Sequence, residues 1–364
     1  MGPIKALVID DTIVYRKIVG DVLKDMPGVE VIGTANNGKI ALSKIRTLKP
    51  DLITLDIEMP EVNGIEVLEE LRGMENPPLV IMLSTLTQKG SEMTIKALEL
   101  GAFDFLPKPE DGKMADNLLK VKQAIEPIIR LIKRRRGKPV GTASPVTVPS
   151  RPAAPRPAPR KPAAPKARVH RTKSEIIGIG ISTGGPNALT RMIPMLPAAF
   201  KVPVLIVQHM PPMFTASLAT SLNNKSNLEV REAQDGDVVS PGRVLIAPGG
   251  KQMKIVAGAD GLTRKIKITD DPPENSCKPS VDYLFRSIAH HYVGRATGVI
   301  MTGMGSDGAK GLVEMKNNGS IVIAQDEASC TVFGMPKAPI ENGIADIIAP
   351  LDRIAEEIVK TVSL

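Results

Sequence analysis

Ser182 lies in Gly180-Ile-Ser-Thr-Gly184, a glycine-rich turn that follows the apolar run at residues 176–181. The spacing fits G-x-S-x-G, in which a sharp strand-to-helix turn exposes the serine hydroxyl and helix amides can stabilise an oxyanion. A phosphate-cradling turn fits the same glycines, although the Gly-Lys-Ser/Thr of a P-loop is missing. A serine near its free pKa needs a base, and the chain offers four histidines. His170 falls in a proline-rich stretch, and His290 and His291 fall in a helix-period run. His209, directly after the apolar run at 204–208, is therefore the candidate base, and Asp307 ends a further strand-and-glycine-turn from which it can orient the imidazole. The order Ser182, His209, Asp307 is not the Ser-Asp-His order of α/β-hydrolases. A rival spacing shares these residues: Gly303, Gly305 and Gly308 make a formal G-x-G-x-x-G, with Asp326 about 20 residues on, as in dinucleotide sites. Asp307 would then set a carboxylate against the pyrophosphate, and Ser182 and His209 would have no task.

A second constellation lies in the first third of the chain. Asp10 and Asp11 follow the apolar run at 6–9, Asp56 follows 52–55, Ser84 and Thr85 follow 79–83, and Lys108 comes just after 103–106. Three carboxylates converging on one edge repel one another unless a cation sits among them, and oxygen-only ligands favour Mg²⁺. A carboxylate beside Mg²⁺, with a lysine and a hydroxyl nearby, suits a transferable phosphoryl group, and Asp56 is the expected acceptor.

Such placements demand particular elements. Over residues 1–125, five short apolar runs alternate with helix-period segments, which predicts an α/β unit with a five-stranded, parallel, doubly wound sheet. Ligands of such sheets sit where strands end at the carboxyl edge, where the polar residues fall. From Glu175 the alternation restarts and predicts a second α/β unit, doubly wound and mostly parallel, over 175–364. The 364 residues, 42% apolar and 24% charged, suffice for two packed cores and exceed one ordinary domain. No run reaches the roughly 18 apolar residues of a membrane span, so no membrane insertion is expected. The start of the chain lacks a charged region followed by a long apolar one, and Ala6 departs from the myristoylation pattern. A cytoplasmic location is expected, with Cys277 and Cys330 as reduced thiols, because their positions give neither a disulfide framework nor a metal-ligand spacing.

The net charge of +8 is concentrated in one place. Residues 133–173 carry thirteen Lys and Arg and no acid, and subtracting these from +8 leaves −5 for the rest. Prolines between 151 and 165 favour extended polyproline II, so residues 126–174 are expected to be a basic, Pro/Ala-rich linker. It has no interleaved aromatics for base stacking, and the remainder has no compact basic recognition helix, so nucleic acid is not an expected partner.

With these residues assembled, the first segment resembles a response-regulator receiver domain. The resemblance implies that Asp11 and Asp56 hold Mg²⁺ together with the backbone carbonyl of Glu58, that Asp10 supports them, and that a histidine kinase supplies the phosphoryl group. It implies a switch hydroxyl at Ser84, an aromatic switch at Phe105, the family's lysine at Lys108, and a cis peptide at Lys108-Pro109. Residues 175–364 resemble the catalytic domain of the chemotaxis protein-glutamate methylesterases, and the whole chain resembles that family. The motifs are Ser182-Thr-Gly-Gly-Pro, Gln208-His-Met-Pro, Lys278-Pro-Ser-Val-Asp282, Thr302-Gly-Met-Gly-Ser-Asp-Gly308 and Ala324-Gln-Asp-Glu-Ala-Ser-Cys-Thr-Val-Phe-Gly-Met-Pro336. By this resemblance the Met304 amide helps form the oxyanion hole and Thr183 assists beside the nucleophile. Cys277 departs from relatives that carry a histidine there.

The resemblance implies hydrolysis of glutamate γ-methyl esters on chemoreceptors, with methanol released, and deamidation of receptor glutamine. No cofactor is expected at the esterase site. It further implies that the unphosphorylated receiver covers the active-site edge, so the freed catalytic unit should be the more active one. A receiver-controlled binding module without turnover is the alternative.

Overall fold

In the computed structural model, residues 2–108, 114–137 and 173–363 are described. The first unit runs β1 (Ile4–Ile9), α1 (Ile13–Lys24), β2 (Val29–Ala35), α2 (Gly38–Leu48), β3 (Leu52–Asp56), α3 (Gly64–Leu71), β4 (Leu79–Ser84), α4 (Gln88–Glu99), β5 (Asp104–Pro107) and α5 (Met114–Gly137). Its strands form one parallel sheet in the order β2-β1-β3-β4-β5. Chain direction across the sheet reverses between β1 and β3, and their carboxyl ends therefore open a crevice. Asp10, Asp11 and Asp56 fall at that crevice. Local chemistry starts the helices: Asn63 accepts from the amides of Ile65 and Glu66, and Glu66 returns a bond to the Asn63 amide, a complete capping box on α3.

The second unit contains β6 (Ile176–Ile181), α6 (Gly185–Met192), β7 (Val204–Gln208), α7 (Phe214–Asn223), β8 (Glu229–Glu232), β9 (Arg243–Ile246), β10 (Gln252–Ala257) and β11 (Arg264–Thr269). It continues with α8 (Val281–His291), β12 (Ala296–Ile300), α9 (Ala309–Asn317), β13 (Ile321–Gln325), α10 (Lys337–Glu341), β14 (Ile347–Ala349) and α11 (Leu351–Ser363). Seven strands form a parallel sheet ordered β14-β13-β12-β6-β7-β9-β8. Strand β6 is buried along its whole length, as a strand covered by helices on both faces must be. Gly178 and Gly180 share one face of it, and a Cβ on Gly180 would lie 2.3 Å from Val281 Cγ1, so their missing side chains let α8 lie directly on β6. The antiparallel ribbon β10–β11 was not anticipated from the sequence; Met253, Ile255 and Ile266 turn inward from it to join Leu284, Phe285 and Ile288 of α8.

The expected linker at 126–174 needs correction at its start. Helix α5 runs through to Gly137, because Val121, Ile125, Ile128, Ile129 and Ile132 form one buried stripe beneath a basic exterior. Pro127 does not end the helix. At the other end, Ser174 is already tied into the second unit through Thr361 O (3.0 Å) and Thr297 Oγ1 (2.7 Å). Residues 138–172, and Pro109 with its expected cis peptide, lie outside the described residues. Among the described residues, no helix is long and apolar enough to cross a membrane.

The two units pack on each other. Phe105 at β5 stacks on Phe214 of α7, with ring centroids 4.5 Å apart. Helix α4 adds Ser91 Oγ to Ser217 Oγ at 2.6 Å and Glu99 to Lys225 at 2.5 Å. One apolar cluster accordingly runs without a break from Leu55 and Leu98 to Leu189 and Phe214.

Candidate active site

Because β6 lies between β12 and β7, the segments following these three strands meet at one edge of the sheet. Ser182 follows β6, with its amide donating to Thr302 O (3.0 Å) and its carbonyl accepting from the Gly185 amide (2.7 Å) at the start of α6. The turn needs glycine at 184: φ is +76° there, and a Cβ would lie 2.4 Å from Thr331. His209 follows β7, anchored by its amide to Ile181 O at 3.1 Å.

Asp307 is held by more partners than any other side chain at this edge. Its Oδ1 accepts from Asn275 Nδ2 (2.8 Å), Ser280 Oγ (2.9 Å) and the Asp282 amide (3.2 Å). Its Oδ2 accepts from the Val281 amide (2.7 Å) and faces His209 Nε2 at 2.9 Å. Two of these donors are first-turn amides of α8, whose positive end favours a carboxylate. Burial pushes the Asp307 carboxyl up, but the bond and charge of His209, with the Val281 amide and Asn275, outweigh it and hold the group at about 2. For His209, burial pulls downward and is outweighed by hydrogen bonds to Asp307 and Cys277 and by their charges, which raise it. The pair is built to stabilise an imidazolium.

The other ring nitrogen, Nδ1, lies 3.7 Å from Cys277 Sγ. Ser182 Oγ makes no hydrogen bond to any described residue, yet Ser182 and His209 line the same cavity of 50 Å³. The first unit closes that cavity with Asp104 and Phe105. Burial raises the Asp104 carboxyl to about 6, with hydrogen bonds from the Phe105 amide and the Thr183 hydroxyl pulling the other way.

In the crevice of the first unit, Lys108 Nζ stands 2.8 Å from both Asp10 Oδ2 and Asp56 Oδ2, and all three side chains are buried. Burial raises Asp10, and it raises Asp56 to about 6, with Lys108 opposing in both cases. Oxygens of Asp10, Asp11 and Asp56 lie within 4.8 Å of one another. One ammonium against three carboxylates leaves the crevice net negative, and the all-oxygen donor set fits a hard divalent cation. Glu58 lies at the rim, exposed, with Lys89 Nζ 3.7 Å from its side chain. The Ser84 hydroxyl donates toward Gly90 O (3.2 Å) and accepts from Thr94 Oγ1 (2.7 Å), so at this stage it is engaged with α4.

Comparison with known proteins matches the description "CheB methylesterase" over residues 177–358 and "Response regulator receiver domain" over residues 6–120. A protein-glutamate methylesterase/protein-glutamine glutaminase of Desulfotalea psychrophila is 55% identical over the full length of both chains. One of Bacillus subtilis is 44% identical over 99% of this chain and 98% of that protein. The crystal structure of the Thermotoga maritima CheB methylesterase catalytic domain superposes with a TM-score of 0.50 at 42% identity, covering 52% of this chain and 99% of that one. The chain belongs to the CheB methylesterase family.

Within that family frame, the fold brings Ser182, His209 and Asp307 to one edge and gathers Asp10, Asp11, Asp56 and Lys108 at another. Met304 follows Gly303, on which a Cβ would lie 2.8 Å from Ser182 Cβ, and no described residue accepts from the Met304 amide. Thr183 meets the receiver's Asp104. Sequence reasoning assigned no role to Asn275, Ser280 or Asp104. Ser280 stands inside the quoted Lys278-to-Asp282 motif and Asn275 shortly before it, but neither place names Asp307 as the partner.

Proposed function

We propose that Ser182 is the nucleophile, His209 the general base and Asp307 the orienting carboxylate of a protein-glutamate methylesterase. The observation that carries this reading is the His209 Nε2 to Asp307 Oδ2 contact of 2.9 Å, with Asp307 held in turn by α8, beside Ser182. Ser182 attacks the γ-carbonyl of a glutamyl methyl ester on a chemoreceptor. His209 takes the serine proton, Asp307 stabilises the imidazolium, and the proton passes to the departing methoxide, giving methanol. Water then cleaves the acyl-enzyme. The same groups act on glutamine, releasing ammonia. The free Met304 amide is suited to the oxyanion, and Thr183 stands beside the nucleophile.

Since Asp307 occupies Nε2, Nδ1 must receive the Ser182 proton. The 50 Å³ cavity holds about two waters and excludes an ester side chain, so the receiver must move away for turnover. Control then lies in Asp56. Asp10, Asp11 and Asp56, with the Glu58 carbonyl, would hold Mg²⁺, which neutralises the oxygens of an incoming phosphoryl group from a chemotaxis kinase. Lys108 is placed to pair with the phosphorylated Asp56. To reach that group Ser84 must leave Gly90 and Thr94, which loosens α4, and α4 carries Ser91 and Glu99 of the interface. Phe105 couples the same edge to Phe214. The chain divides at Gly137 and Ser174 into receiver, basic connection and catalytic unit, and it acts in the cytoplasm.

Methanol release from methylated chemoreceptor membranes tests the reading. The full-length protein should release methanol, more with phosphoramidate and Mg²⁺, and Ser182→Ala should release none. Full activity in Ser182→Ala would remove Ser182 as nucleophile.

A further inference from the structure

His209 lines two cavities. One is the 50 Å³ space shared with Ser182 and closed by the receiver; the other, of 310 Å³, is lined by His209, Met210, Gly250, Cys277 and Lys278 among others. Of the groups that line the second, the proposed hydrolysis uses His209 alone. In it, Cys277 Sγ and His209 Nδ1 are 3.7 Å apart although the residues are 68 positions apart in the chain.

That separation has a chemical meaning beyond a weak thiol hydrogen bond. Zinc binds thiolate sulfur at ≈ 2.3 Å and imidazole nitrogen at ≈ 2.0–2.1 Å in tetrahedral geometry, which sets the two donors about 3.6 Å apart. The imidazole is also prepared as a ligand. Asp307 Oδ2 faces Nε2 at 2.9 Å, which favours the ring proton there and leaves Nδ1 to meet Cys277 Sγ or a metal in its place. A carboxylate behind the imidazole is the outer partner that metal-binding histidines regularly have. Asp307 is itself fixed by Asn275, Ser280 and two α8 amides, so it serves from behind the ring and leaves the metal to Cys277 and His209. Imidazole, thiol and carboxylate donors all lie within 4.8 Å of one another.

We propose that Cys277 and His209 form a binding site for a soft divalent metal of the zinc class, and that its occupancy inhibits the esterase. Binding exchanges the Cys277 thiol proton, released to solvent, for a sulfur–metal bond, and it engages the Nδ1 lone pair. The two remaining tetrahedral positions would take water, for which the 310 Å³ cavity beside Cys277 and His209 has room. Mg²⁺, a hard cation, goes to the oxygen cluster of the receiver, so one chain sorts the two metals by ligand type. The inhibitory half of this inference rests on His209 being the base; the binding half does not.

Cobalt(II) added to the full-length protein is the direct probe, since a thiolate ligand gives a sulfur-to-cobalt charge-transfer band in the near ultraviolet that carboxylate ligation in the receiver cannot give. The band is expected in the unaltered protein and in Cys330→Ser, and is expected to be absent in Cys277→Ser. In parallel, zinc should lower methanol release, each protein being compared with its own zinc-free rate, with an apparent inhibition constant at least tenfold higher in Cys277→Ser. No band in the unaltered protein, or a band that survives Cys277→Ser, overturns the site. A band without inhibition overturns the inhibitory role. Failure of the esterase reading would instead show as no methanol release even without zinc, with the cobalt band still present.

Discussion

Replacing Asp104 by Asn should tighten the closed state of the enzyme. The Asp104 carboxyl sits in the small cavity with Ser182 and Thr183, and burial raises it from 3.8 to about 6. In the undocked receiver it returns to the ordinary carboxylate range, so the docked form binds the proton more tightly. Docking is therefore strongest at acid pH, weakens as pH rises from 3.8 to about 6, and is constant above that. At 1.36 kcal/mol per pKa unit, the ionised carboxyl weakens docking by a ceiling of about 3 kcal/mol at pH 7.5, roughly 100-fold in the open fraction. Asn keeps the acceptor for the Thr183 hydroxyl and removes the charge. The unphosphorylated Asp104→Asn protein should thus hydrolyse methylated receptors at least tenfold more slowly than the unaltered protein at pH 7.5. The ratio of the two rates should shrink by roughly tenfold on going to pH 5, while the ratio for the fully phosphorylated forms stays near one. Taking ratios at each pH cancels the titration of His209, which both proteins share. An Asp104→Asn protein with an equal or higher basal rate, or a ratio flat across this range, would refute the claim that a buried carboxylate limits the interface.

Two further substitutions probe the same geometry. Asp56→Asn should take up no phosphoryl mass from phosphoramidate and Mg²⁺, and it should raise the receiver's melting temperature without Mg²⁺. Burial raises Asp56 to about 6, and part of that cost, about 1–2 kcal/mol after losing Lys108 as partner, is relieved at neutral pH; a lower melting temperature would contradict this. Gly180→Ala should destabilise the catalytic unit by about 1–3 kcal/mol, because the new Cβ falls 2.3 Å from Val281 Cγ1. Activity should fall with it, since the Val281 amide also holds Asp307, and unchanged thermal denaturation would show that α8 yields freely.

Much of this molecule is legible in the chain itself, because its information is local. Short apolar runs alternating with helix-period segments specify parallel sheets, and in such sheets chemistry gathers after strands. Asp10, Asp56, Ser182 and His209 could therefore be picked out by their positions immediately beyond runs such as 52–55 and 204–208. The residues that complete the sites carry no such periodic mark. Asn275 and Ser280 matter only because α8 is laid against β6, across Gly178 and Gly180, with its first turn at Asp307. Which nitrogen of His209 meets Asp307, and that the other meets Cys277, depends on β6 lying between β12 and β7. Helix α5 outlasts its expected end because its apolar stripe finds a core to bury in, which a run of Lys and Arg conceals. Asp104 reads as an ordinary strand residue until the receiver docks. The chain alone specified the strands and what stands at their ends; sheet order and domain packing decided which of those ends face each other, because contacts between residues far apart in sequence are made only by the assembled fold.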